Sequence, residues 1–138
     1  MRLWPYQMLD VLPRQQLLSQ LRECTALAVQ LDATGKTNHI LINKIMDYDL
    51  MEFKVYCQLV VDEFKRRNYN VAAQTRVKLG LIGFSTKYPE YIDYPIYKEW
   101  HNDRYIKQCM NNLEEKYDCG GVTEEEWEAL TRKFGSYV

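Results

Sequence analysis

The chain has 138 residues, 46% hydrophobic and 27% charged, with 18 Lys and Arg against 19 Asp and Glu for a net charge of −1. That length supports one hydrophobic core, and a single domain over residues 1–138 is expected. The balanced charge excludes a large basic field for non-specific nucleic-acid binding and leaves room only for a local cationic patch.

No apolar run approaches the roughly 18 residues of a membrane-spanning helix. Four cysteines (Cys24, Cys57, Cys109, Cys119) and two histidines (His39, His101) lack the spacing of a zinc site. A cytoplasmic protein with reduced, mostly buried thiols and no membrane contact is therefore expected. Eleven tyrosines and three tryptophans are a heavy aromatic load, suited either to half-buried helix faces or to wet binding surfaces.

Residues 1–12 are apolar and end at Leu12-Pro13, and proline suits the first turn of a helix. A helix from about Pro13 to Gln30 follows, because Leu17, Leu21, Cys24 and Ala28 recur at the spacing of one buried stripe. Asp32 to Lys36 reads as a turn. Residues 38–47 read as a short helix around Ile40, Ile42 and Ile45, with a strand as the alternative for "HILI". Asp49 and Glu52 fit a capping box opening a helix through Phe53, Cys57, Val60 and Phe64. "KRRN" closes it: the cations suit the negative helix end, and Asn68 suits a left-handed cap.

Residues 70–95 are irregular, with a short helix or turns. A third long helix is expected from about Tyr97 to Tyr117, stopped by Gly120-Gly121. Thr123 and Glu126 form a further capping box before a short helix through Trp127, Leu130 and Phe134. The class is all-α: a single compact domain of about five helices with long connections.

The first helix also carries Gln15, Gln16, Gln20, Arg22 and Glu23. On a helical wheel its stripe occupies about 60°, and Arg22 and Glu23 stand on opposite shoulders of the polar side, about 100° apart. By pattern alone this is a solvated face. The wider register gives it another meaning. "MR", then "LPRQQLLSQLRE" some ten residues later, resembles the start of the pyrimidine-dimer DNA glycosylase / endonuclease V family, and a bacterial branch of it in particular. The matching positions are Arg2, Leu12, Gln15, Leu17, Arg22 and Glu23. "TGK" at Thr34–Lys36, "YDLMEF" with "EFKRRNYN", and "NLEEK" at Asn112–Lys116 are similar to later parts of the same pattern.

The resemblance implies an endonuclease V-like fold and a glycosylase with abasic-site lyase activity on damaged double-stranded DNA, with neither cofactor nor metal. The nucleophile would be the α-amine of Met1 and the essential acid Glu23. Arg2, Arg22 and Lys116 would hold phosphates, Gln15 and His101 would contact the nucleotide, and the protein would act as a monomer, nucleoid-associated when bound. An α-amine has a pKa near 7.7–8.0, so a useful fraction is neutral and nucleophilic at physiological pH.

The sequence departs from the family in four places. Met1 precedes bulky Arg2 and should be retained, where the family presents a small first residue. Ala26 and Asn112 stand where the family has arginines, and the aromatic, basic tail is replaced by "EEEWEALTRKFGSYV". Fewer cations imply weaker binding and a flatter salt dependence. The alternative reading is an inactive module of the same fold that binds nucleic acid or protein. Two other features stand open: "KRR" at Lys65–Arg67 as a phosphate patch or a solvated helix end, and Tyr88, Tyr91, Tyr94 and Tyr97 as stacking platforms or packing.

Overall fold

Side-chain period decides most of the architecture. A computed structural model describes residues 2–83 and 95–138. Five α-helices carry the described fold: α1 (Arg14–Thr34), α2 (Leu50–Arg66), α3 (Ala73–Gly80), α4 (Asp103–Asp118) and α5 (Glu124–Phe134). Short 3-10 turns lie at Tyr6–Met8, Asn43–Asp47 and Gly135–Tyr137, and the described residues contain no strand. α1 packs on α2 and α3, and α4 packs on α5.

The expected stripes are the core. Leu17, Leu21, Cys24 and Ala28 of α1 are buried, as are Phe53, Cys57, Val60 and Phe64 of α2 and Ile106, Cys109, Met110 and Leu113 of α4. Leu3, Trp4, Met8, Leu9 and Leu12 join the same cluster, so the segment before α1 is an interior strap rather than a loose end. Three of the four cysteines are buried; Cys119 is exposed.

Several boundaries move. α1 runs one turn past Gln30 and ends on Gly35, whose left-handed backbone (φ 72°) closes the helix. Within residues 38–47 only Asn43–Asp47 is helical, as a 3-10 turn. Asp49 caps α2 by accepting from the Met51 N–H at 2.8 Å, but Glu52 does not close the box: its carboxylate accepts from the Tyr97 N–H at 2.8 Å. Asn68 takes the left-handed conformation (φ 60°) as expected. α4 begins at Asp103, not Tyr97. Tyr97 itself is left-handed (φ 50°) and fully buried, and Asn102 supplies the cap through the Tyr105 N–H. Tyr88, Tyr91 and Tyr94 lie outside the described residues.

α5 has its full capping box, with Glu126 accepting from the Thr123 N–H at 3.0 Å and Thr123 accepting from the Glu126 N–H at 3.1 Å. The other oxygen of Glu126 accepts from the Arg14 N–H at 2.7 Å, where α1 has no side-chain cap from its own Pro13. Of "KRR", Arg66 and Arg67 form a lock rather than a free anion patch. Arg66 and Arg67 both pair with the buried Glu63 carboxylate, Arg67 at 2.6 Å. Their guanidinium groups also donate to the Asp10 and Leu9 carbonyls, tying α2 to the strap.

Candidate active site

Residues 2–5 of the strap before α1 lie in no helix or strand that could satisfy their backbone, so side chains do much of that work. Gln20 is fully buried on α1. Its Nε2 donates to the Arg2 carbonyl and to Glu23 Oε2, both at 3.1 Å, and its Oε1 accepts from the Trp4 N–H at 2.7 Å. The Tyr56 hydroxyl of α2 lies 2.6 Å from the Trp4 carbonyl and 2.8 Å from Gln20 Oε1, sharing its one proton between them. Tyr105 of α4 donates to the Leu3 carbonyl at 2.7 Å, and His101 Nδ1 accepts from the Tyr6 N–H at 3.1 Å. Glu23 accepts from the Arg2 N–H. Residues 2 to 6 are thus held at successive backbone groups by three helices and the turn before α4.

This clamp builds a cleft. Arg2, Trp4, Gln15, Gln16, Ser19, Glu23, Asn112 and Lys116 line a cavity of about 290 Å³. Four of the residues expected at the site (Arg2, Gln15, Glu23 and Lys116) therefore share one wall system. Arg22 is exposed and donates to Ser19 Oγ at 3.0 Å, which puts it at the cleft's edge. Arg2 leaves its guanidinium over the Trp4 ring, 5.2 Å from the centroid, with Nη1 3.4 Å from Cys109 Sγ. The cleft thus gathers a local positive field on a nearly neutral chain, with one carboxylate inside it. Met1 lies outside the described residues.

Glu23 is half-buried, and burial raises its carboxyl pKa above the ordinary value. The Arg2 N–H, Gln20 and the charge of Arg22 pull in the other direction. A carboxyl raised by burial while still hydrogen-bonded is suited to giving and taking a proton.

His101 is not brought to the cleft. It is 3% exposed and sits among the rings of Tyr6, Tyr56, Tyr97, Trp100 and Tyr105. Burial lowers its pKa to about 3, so it is a neutral acceptor for the strap and has no surface from which to touch a nucleotide. Its expected DNA contact is replaced by this interior role.

Gln20 is the residue that pattern reading misplaced, on the polar side. It lies three residues after Leu17 and four before Cys24, beside the buried stripe. A carboxamide bordering an apolar stripe was the available signal, since a buried amide requires partners. Tyr56 and Tyr105 carry no comparable signal, because a tyrosine on a buried stripe reads as packing.

A family model described as pyrimidine dimer DNA glycosylase matches residues 1–77, more than half of the 138 residues. The chain belongs to the pyrimidine dimer DNA glycosylase family. No curated protein and no solved structure matches it. The family match covers the strap, α1 and α2, and hence Arg2, Gln15, Gln20, Arg22 and Glu23. Asn112 and Lys116 on α4 lie beyond it, yet the fold returns them to the same cleft. A glycosylase of this family implies damaged DNA as the substrate. Among the described residues, no helix is long and apolar enough to cross a membrane.

Proposed function

We propose that the protein is a DNA glycosylase with abasic-site lyase activity, in which the α-amine of Met1 is the nucleophile and Glu23 the acid–base group. The observation that carries this reading is the grip of Glu23 and Gln20 on the backbone of Arg2. An amino group one residue earlier is joined to the Arg2 nitrogen through two backbone carbons. Covalent geometry limits its distance from that nitrogen to about 4 Å, and the proposed reaction requires it to turn toward the Glu23 carboxylate.

In the proposed reaction the neutral amine attacks C1′ of the damaged nucleotide. The C1′–N bond to the base breaks, the base leaves with a proton, and ring opening gives an imine joining protein and sugar. The imine acidifies the C2′ proton. Glu23 takes that proton, and the electron pair forms the C2′–C3′ double bond as the 3′-phosphate leaves. Water then hydrolyses the imine and frees the amine. Arg2 and Arg22 would hold flanking phosphates through their forked donors, and Lys116 would act as a point charge. Gln15, exposed at the cleft wall, would contact the nucleotide.

Borohydride reduction in the presence of an abasic-site duplex tests this directly. An imine becomes a stable secondary amine, so a covalent protein–DNA species of defined mass should appear, and peptide mapping should place it at residue 1. Glu23→Gln should retain binding and slow strand cleavage by about a hundred- to ten-thousand-fold. Reversible binding without a trapped species would instead establish a binding module and end the catalytic reading.

A further inference from the structure

A second cavity, of about 400 Å³, adjoins the first and shares Arg2 and Asn112 with it. One wall is α4 with the Trp100 and Tyr105 rings. The other is the loop between α1 and α2, through Ile40, Leu41 and Lys44. Ile40 is 84% exposed and Leu41 51%, two large apolar side chains in sequence at the tip of a loop.

The loop is braced from within. The Ile42 and Asn43 N–H groups donate to the His39 carbonyl at 2.9 Å, and the Leu41 N–H donates to His39 Nδ1 at 3.2 Å. The Asn43 carboxamide nitrogen, in the orientation that satisfies its neighbours, donates to the Thr37 and His39 carbonyls at 2.9 and 3.1 Å. Ile42 and Ile45, on either side of that anchor, are buried. A rigid base thus presents an apolar tip to solvent, beside a cationic cleft and with Lys44 next to it. Solvation gives no reason to hold Ile40 and Leu41 outward on such a mount.

We propose that Ile40 and Leu41 form a wedge that enters the base stack at the lesion, opening the duplex so that the sugar reaches the cleft. The occupant is the DNA bound in the adjoining cleft, so this inference rests on the proposed function. Apolar tips of this kind separate base steps in other DNA-bending proteins, and a damaged step unstacks at lower cost than an intact one. An apolar tip makes no directed hydrogen bond to a base edge, so the wedge would contribute to opening rather than to base identity.

The test uses the full-length protein and a duplex holding an uncleavable tetrahydrofuran abasic analogue, with 2-aminopurine in the adjoining step. This readout needs no chemistry and stands apart from borohydride trapping. Binding of the wild type should raise 2-aminopurine fluorescence severalfold. The exposed-site double variant Ile40→Ala, Leu41→Ala should bind without that rise. Its thermal unfolding should match the wild type, because neither side chain is in the core. On cleavable substrates it should lose about tenfold in kcat/KM on an abasic duplex and nothing on an abasic single strand, where there is no duplex to open. No fluorescence rise with the wild type, an equal rise with the variant, or equal loss on both substrates would overturn the wedge. A fluorescence rise without a trapped imine would sink the catalytic reading while sustaining the wedge.

Discussion

The strap at residues 2–6 and helix α5 solve the same backbone problem in opposite ways. α5 satisfies itself. Its interior N–H groups bond within the helix, Thr123 and Glu126 close its first turn, and most of its surface faces water. The strap satisfies almost nothing itself. Its backbone depends on Gln20, Glu23, Tyr56, His101 and Tyr105, up to 102 positions away in sequence. Local bonding yields an element that stands largely on its own. Distant side-chain bonding yields one whose position is set by the rest of the molecule, which is what the proposed nucleophile one residue earlier would require.

The comparison breaks most visibly at Gln20. Gln20→Ala strips partners from the Arg2 carbonyl, the Trp4 N–H and Glu23 at once, all in or near the interior. Unfolding free energy should fall by about 3 kcal/mol by urea titration. Cleavage of an abasic duplex should fall by about a hundredfold even at temperatures where the protein stays folded. Full activity in a folded Gln20→Ala protein would show that the clamp is only structural.

Acid sharpens the comparison from the other end of the strap. The imidazole of His101 is held neutral down to about pH 3 when folded, against 6.5 in an unfolded chain. Below pH 6.5 the unfolded chain takes up a proton that the folded protein refuses, so stability declines as pH falls. Between pH 7 and pH 5 this residue alone should remove about 2 kcal/mol. His101→Gln should flatten that slope in urea unfolding curves, whatever its own stability at pH 7.

The smallest effect belongs to the self-sufficient element. Thr123→Ala removes one cap from α5 and should lower stability by about 1 kcal/mol. The rate of strand cleavage should not change. A loss of activity here as large as that of Gln20→Ala would erase the distinction between the two regions.

The difference also explains what could be read beforehand. The stripes of α1, α2 and α4, the α5 capping box and the left-handed Asn68 are local patterns and were legible. The pairing of Arg2, Gln15, Glu23 and Lys116 around one cleft was legible only through the family register, since no periodicity links a chain end to a helix. Glu52 shows the limit: D-x-x-E has the right residues for a box, but the buried Tyr97 N–H competes for the same carboxylate and holds it. His101 shows another: Tyr97, Trp100 and Tyr105 stand near it in sequence, but nothing local indicates that Tyr6 and Tyr56 complete the enclosure and bury it.

The shared carboxylate of Glu126 has a wider consequence. One oxygen finishes the first turn of α5 while the other caps the start of α1, the helix that bears Gln20 and Glu23. Lys133, on the same helix, fastens to Gln7 and Asp10, between residues 2–6 of the strap and α1. Residues 124–138, beyond the span 1–77 matched by the family model, are therefore an outboard brace: trimming them would loosen the mounting of Gln20 and Glu23 without removing any residue that lines the cleft.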